Sequence, residues 1–217
     1  MFENTEIYLS GGFMKKIRNY TIVLLAFLTL AWSSQNAFGQ TNRTATGGTE
    51  EFTGSIISFN GPRTATAFFN LRLNGRTSDE QARQYLNILR RDGQSRALEA
   101  IDDNDLGSFS VGNNLARRLN VVRESTVDGR RRIFIVFERW TQFAEHRFGT
   151  RSLDYPFGVI ELYVDPRTGK GEGTYIAAAR IRFDDDSRNN QQTVEIENFA
   201  TYPARLTNVT LARGGKS

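Results

Sequence analysis

One segment restricts the fold more than any other. Across residues 130–140 the chain alternates so that Ile133, Ile135 and Phe137 fall on one face and Phe134, Val136 and Trp140 on the other. A strand sends successive side chains to opposite sides, so both faces of this one are apolar and both need cover. It has to lie inside a sheet with material packed above and below. Asp128-Gly129 stands just before it, a dipeptide suited to the two-residue hairpin turn that needs positive φ at both positions. Residues 119–127 supply the other arm, and the fold has to be built around the second.

The rest of the chain reads mostly as further strands. Residues 52–59 and 64–74 form the first two, turning at Gly61-Pro62, with Ala65, Ala67, Phe69, Leu71 and Leu73 alternating onto one face. Residues 157–165 and 172–183 make a hairpin through Pro166-Arg167-Thr168-Gly169, and residues 206–211 supply a last strand. Between residue 183 and that last strand a register can be written down. If paired positions sum to 377, Arg182 faces Glu195 and Arg180 faces Glu197, while Ile181 faces Ile196 and Phe183 faces Val194. One face then carries charged pairs and the other apolar pairs, as one-sided burial requires.

A helical excursion interrupts this pattern after the second strand. Ser78 with Gln81 three residues on is a capping box, and Ala82, Tyr85, Leu86 and Leu89 follow at the spacing of a single helical stripe. Gly93 stops it as a C-terminal glycine does, and residues 94–101 read as a second short helix with Ala97, Leu98 and Ile101 inward. The expected class is α+β: eight or nine mostly antiparallel strands in a curved sheet, barrel or sandwich, with one or two helices inserted after the second strand.

Ahead of the domain stands a segment of another kind. From Met14 the chain reads Lys15-Lys16-Ile17-Arg18, then an uncharged apolar run over residues 20–32, then a polar stretch ending Ala37-Phe38-Gly39. That is the order of a cleavable signal peptide, and the run is short of the roughly 20 residues a spanning helix needs. Glu3 and Glu6 precede the lysines and suit no n-region, so Met14 is read as the true start. Residues 1–39 are expected to be removed and 40–50 to form a flexible Thr/Gly/Asn lead. A single β-rich domain then covers 51–217. The destination is periplasmic or secreted, with no transmembrane segment left after cleavage.

Composition bounds the chemistry. Of the 28 basic residues, Lys15, Lys16 and Arg18 lie in the leader, leaving 25, and the 24 acidic residues lose Glu3 and Glu6 to leave 22, so the remainder carries +3. All but Lys170 and Lys216 of those bases are arginine, scattered among acids rather than gathered on one element, which argues against nucleic acid as a partner. There is no cysteine, hence no thiol chemistry and no disulfide. The single histidine, His146, is too few for an ordinary zinc site, and no Gly-x-Ser-x-Gly elbow presents a nucleophile. Two acidic runs, Asp102-Asp103-Asn104-Asp105 and Asp184-Asp185-Asp186 with Asn189 and Asn190, lack the calcium-loop spacing and read as polar turns. No cofactor and no metal is expected.

The most site-like stretch is the connection over residues 138–155. Arg139, Trp140, Glu145, His146, Arg147, Arg151, Asp154 and Tyr155 lie there among Phe143 and Phe148. Aromatics interleaved with arginines and carboxylates on a long connection suit contact with a ligand. The expectation is a non-catalytic module that binds a small ligand or an envelope component. Two alternatives stand beside it. One is a glycosidase-type hydrolase drawing a carboxylate pair from Glu138, Glu145 and Asp154, which needs two carboxyls roughly 5–9.5 Å apart. The other is a structural envelope protein.

Three segments carry a resemblance: Asp154-Tyr155-Pro156-Phe157-Gly158-Val159-Ile160-Glu161-Leu162, then Gly171-Glu172-Gly173 with Ala178-Ala179-Arg180-Ile181-Arg182-Phe183, and Glu195-Ile196-Glu197-Asn198-Phe199. With the Ser78-Asp79-Glu80-Gln81 helix start, they resemble a family of exported bacterial proteins to which no function is attached. The resemblance implies bacterial export and assigns no site.

Overall fold

The computed structural model describes residues 48–60, 63–139, 143–184, 193–199 and 202–213. The leader and the Gly61-Pro62 turn lie outside them, as do Trp140 and the second acidic run beyond Asp184, and the side chains of His146 and Arg151 are not described. Ten strands occur in chain order: β1 (Glu50–Asn60), β2 (Arg63–Leu73), β3 (Gly107–Val111), β4 (Arg117–Arg118), β5 (Val121–Val127), β6 (Arg130–Glu138), β7 (Phe157–Val164), β8 (Lys170–Asp184), β9 (Thr193–Asn198) and β10 (Ala204–Arg213). Helix α1 (Asp79–Ile101) follows β2, and α2 (Phe143–Phe148) with a 3₁₀ turn (Arg151–Asp154) joins β6 to β7. The class is mostly antiparallel β with a helix after the second strand.

The strands form one antiparallel sheet in the order β4-β3-β2-β1-β10-β8-β7-β6-β5, with β9 added to β8. Its two edges meet. β4 and β5 are separated only by Leu119 and Asn120. Leu119 exchanges backbone hydrogen bonds with Leu106 and Gly107 on the β3 side, while the Asn120 N–H donates to the Val136 carbonyl on the β6 side. The sheet therefore curls on itself and the seam is held from both sides, which leaves few unpaired edges. Asn120 is buried at the seam and fully used: its amide nitrogen donates to the carbonyls of Asp102 and Asn104, and its Oδ1 accepts from the Glu138 N–H.

Both faces of β6 are covered, as its alternation requires. Ile133, Ile135 and Phe137 join Phe52, Leu71, Phe109, Leu162 and Leu206 in the enclosed interior. Phe134 and Val136 face outward with Phe157, Ile181 and Ile196, where Leu89, Ala97 and Ile101 of α1 cover them. The turn before β6 has φ of 50° at Asp128 and 71° at Gly129, the pair of positive values that an Asp-Gly hairpin supplies. Inside the curl, Gly158 sits directly opposite Phe137, whose ring lies so close that a Cβ there would stand 2.5 Å from it. The glycine gives the ring its place.

The β8–β9 register sums to 377 throughout, pairing Arg182 with Glu195 and Ile181 with Ile196. Arg182 bonds Glu195 at 3.0 Å and reaches Glu197 at 3.4 Å, and Arg90 of α1 lies over the Phe183 ring on the apolar side. The two expected helices are one kinked element: the capping box at Ser78 and Gln81 is present, and Gly93, at φ 82°, breaks the helix between two helical pieces. Glu50, expected at the end of a flexible lead, is instead the first residue of β1. It is ion-paired to Arg76 and Arg131, and Glu124 binds the same two guanidiniums. This four-charge cluster closes the end of the curl where β1 and β6 begin.

Candidate functional site

At the opposite end, where β1 and β6 finish, the interior opens into a cup of about 1030 Å³. Its shape follows from side-chain size. Along the inward face of β2 the residues run Leu73, Leu71, Phe69, Ala67, Ala65, from large and fully buried to small and progressively exposed. β8 contributes Tyr175, Ala177 and Ala178 to the wall, and β10 begins with Ala204. Large side chains fill a small barrel solid and small ones leave it hollow. Here the alanines gather at one end.

The floor is aromatic. The rings of Phe109 and Tyr175 lie 5.2 Å apart, those of Phe109 and Phe137 5.9 Å, and Phe137 stacks parallel to Tyr175 at 6.4 Å. Phe69 supports Phe109 from below at 6.0 Å. Ile56, Ala67 and Val111 add aliphatic wall, and Leu115 and Tyr202 stand largely exposed on the rim. Ser58, Thr66, Ser110, Asn113 and Asn114 also line the cup, so its wall mixes apolar and polar side chains.

The charged groups enter from one side. Arg117, one residue short of the seam, donates through Nε (3.1 Å) and Nη2 (2.8 Å) to the Glu138 carbonyl and stands 3.8 Å from its carboxylate. Burial lowers the Arg117 pKa, and Glu138 works against that. Arg139 binds Glu145 through two N–H groups at 3.1 and 2.7 Å, and donates to the backbone carbonyls of Tyr155 (2.6 Å) and Ser152 (2.7 Å). Ser152 donates its hydroxyl to the same carboxylate at 2.5 Å. Burial raises the Tyr175 phenol, while Arg139 and Arg117 pull it the other way.

Of the residues proposed on the 138–155 connection, Arg139 and Glu145 line the cup. Tyr155 is buried beside it, donating its hydroxyl to Glu197 at 2.6 Å with its ring 5.0 Å from Phe199. Arg147 and Asp154 are exposed outside it, Asp154 meeting Gln94 through its backbone carbonyl. His146 lies in α2 and Arg151 in the 3₁₀ turn. The connection is thus partly a brace, Arg139 and Glu145 pairing with each other, and among its described residues these two face the hollow. Glu138 points away from the cup because its neighbours Phe137 and Arg139 point in. Glu145 is the only carboxylate among the described residues lining the cup, so the three carboxylates weighed for glycoside hydrolysis do not converge there.

The first acidic run is a stitched turn rather than an open ligand set. Asp102 meets Arg118 at 3.4 Å, Asn104 donates to the Tyr85 hydroxyl and the Asn120 carbonyl, and Asp105 accepts from the Gly107 N–H. Among the described residues no group of three His, Cys, Asp or Glu is placed to hold a metal, and no helix is long and apolar enough to cross a membrane. Sequence reasoning missed Arg117, Phe109, Tyr175 and the alanines. The Ala65-x-Ala67-x-Phe69 taper was the available signal. Comparison with known proteins found no matching family model, no similar curated protein and no similar solved structure.

Proposed function

We propose that this domain is a non-catalytic binding module that holds a small, largely apolar molecule in the cup. The observation that carries the reading is the hollow itself: about 1030 Å³ of concave space with an aromatic floor, alanines along its wall and its charged groups on one side. Ligand sites of roughly 300–1,000 Å³ have this make-up. The fully packed interior beneath it means that the hollow is not a general failure of packing. The pattern over residues 14–39 supports the companion reading that the module works after export, in the periplasm or outside the cell, as in the bacterial family it resembles. A precursor retaining that segment in the mature protein would refute the companion reading.

The test uses N-phenyl-1-naphthylamine, a neutral apolar dye that brightens on leaving water. Wild-type protein is expected to bind it saturably. Ala67→Phe, which places a ring in the cup, is expected to abolish binding while leaving the thermal midpoint close to wild type. Binding that fails to saturate, or that survives the substitution unchanged, would refute the reading.

A further inference from the structure

The outer face of the sheet carries a second hollow, which among the described residues shares no lining with the cup. Helix α1 lies over that face, yet its cover is incomplete. The stripe Ala82, Tyr85, Leu86 and Leu89 looks across about 430 Å³ at Val121, Phe134 and Val136. Tyr85, Leu86, Val121 and Phe134 are consequently only partly buried, although they belong to apolar faces turned toward each other.

Packed interiors leave few spaces larger than a water molecule, so something has to hold the helix away. It is pinned at both ends. The Thr77 N–H donates to the Val122 carbonyl at 2.8 Å, and the Val122 N–H returns a bond to Thr77 Oγ1 at 3.0 Å. Arg123 adds bonds to the Thr77 carbonyl (2.7 Å) and to the Asp79 carboxylate. At the far end the Asn120 amide donates to the carbonyl of Asp102, the C-cap, at 3.3 Å. Asn104 there donates to the Tyr85 hydroxyl (2.8 Å) and to the Asn120 carbonyl (3.0 Å). Between these posts Gly93 bends the helix. Closing the gap would break these bonds, so the hollow is built into the fold.

Its shape and charge define an occupant. The lining is drawn from five neighbouring strands, with Val121 on β5, Phe134 on β6, Phe157 on β7, Ile181 on β8 and Ile196 on β9. Strands lie about 4.8 Å apart, so four spacings make the hollow about 19 Å long. Spread over that length, 430 Å³ leaves a channel about 5 Å across, the width of one polymethylene chain. The charges at its margin are engaged: Arg123 with Asp79, Arg132 with Glu161 at 2.6 Å, and Glu124 with Arg76 and Arg131. Arg83 is exposed to solvent. An ionic head group buried in the channel would lose its water without gaining a counter-ion.

We propose that this channel is a second binding site, which takes one unbranched aliphatic chain and leaves the chain's polar end in water. The test follows the methyl NMR signals of wild-type protein during titration with 1-decanol and 1-adamantanol, two neutral alcohols of ten carbons, one slender and one compact. Methyls of Leu86, Val121 and Val136 report the channel, and those of Ile56 and Val111 report the cup. Decanol is expected to shift the channel methyls saturably, with adamantanol binding there at least about tenfold more weakly. Octanol is expected to bind the channel about fifteenfold more weakly than decanol, since each buried methylene counts about fourfold. Ala82→Phe, which places a ring in the channel, is expected to remove the Val121 and Val136 shifts and leave those of Ile56. Decanol shifts confined to Ile56 and Val111, or equal channel binding of decanol and adamantanol, would overturn this inference and leave the cup reading intact. Both comparisons use wild type and decide the matter even if the variant fails to fold.

Discussion

Replacing Arg139 by methionine tests whether the connection over residues 138–155 is braced as the structure implies. The side chain is 9% exposed, and among the described residues it donates twice to the Glu145 carboxylate and once each to the carbonyls of Ser152 and Tyr155. Methionine keeps the packing volume and removes every donor. Breaking one side of a buried ion pair costs about 3–5 kcal/mol, because the remaining charge stays buried without its partner. Glu145 is 18% exposed and keeps the Ser152 hydroxyl, which places the cost near the lower bound, about 3 kcal/mol. For a domain of this size that corresponds to a fall of about 6–12 °C in melting temperature. Urea denaturation gives the free energy, and calorimetry gives the midpoint. The double variant R139M/E145M removes the stranded carboxylate and is expected to be more stable than R139M alone. Arg182→Met, on a pair that is 45% exposed at the arginine, is expected to cost at most about 1 kcal/mol. A loss below 1 kcal/mol for R139M, or a double variant no better than the single one, would refute the brace.

Two other outcomes follow from the closed end and the interior. Burial works to raise the carboxyls of Glu50 and Glu124, but the guanidiniums of Arg131 and Arg76 outweigh it and hold both below their ordinary value. Carboxyls lowered in the folded state contribute stability that is complete above the unfolded value near 4.5 and lost as pH falls below it. The urea midpoint is therefore expected to hold between pH 7 and 5 and to drop below pH 4.5. A Glu50→Gln/Glu124→Gln variant, less stable at pH 7, should show a flatter profile, and an equal slope in both proteins would contradict the ion cluster. Gly158→Ala drives a methyl into the Phe137 ring, so it is expected to destabilise by about 1–3 kcal/mol. Gly158→Ala/Phe137→Leu should recover much of that in the same denaturation assay.

The sheet was legible because its signals are local. Asp128-Gly129 dictates a turn, alternation dictates which residues of β6 share a face, and the oppositely charged rows Arg180/Arg182 and Glu195/Glu197 dictate a register before any coordinate is known. The capping box and Gly93 mark α1 in the same way. Closure was less visible. Nothing adjacent in sequence tells that Leu119 and Asn120 join the two edges, since their partners come from β3, the α1–β3 turn and β6. The ion cluster at the closed end draws Glu50, Arg76, Glu124 and Arg131 from four separate segments. The cup was half legible. Alternation places Ala65, Ala67 and Phe69 on one face but does not say whether side chains from the opposite wall fill the space above the alanines. The 138–155 connection is denser in charge and aromatics, yet only one end of that density reaches the cup: Arg139 and Glu145 line it and pair with each other, while Arg147 and Asp154 lie exposed outside.

The position of β10 bears on how the molecule is assembled. This strand is the last of the ten in the chain, yet it lies between β1, the first, and β8. A ribosome releases it after every other stave has emerged, so the nascent chain holds two sheet fragments whose facing rims, along β1 and β8, lack their shared neighbour. Pairing between such distant segments is slow, and exposed rims in the interval invite pairing with another molecule. Folding speed and the yield of monomer should therefore both hinge on how quickly residues 204–213 find their slot.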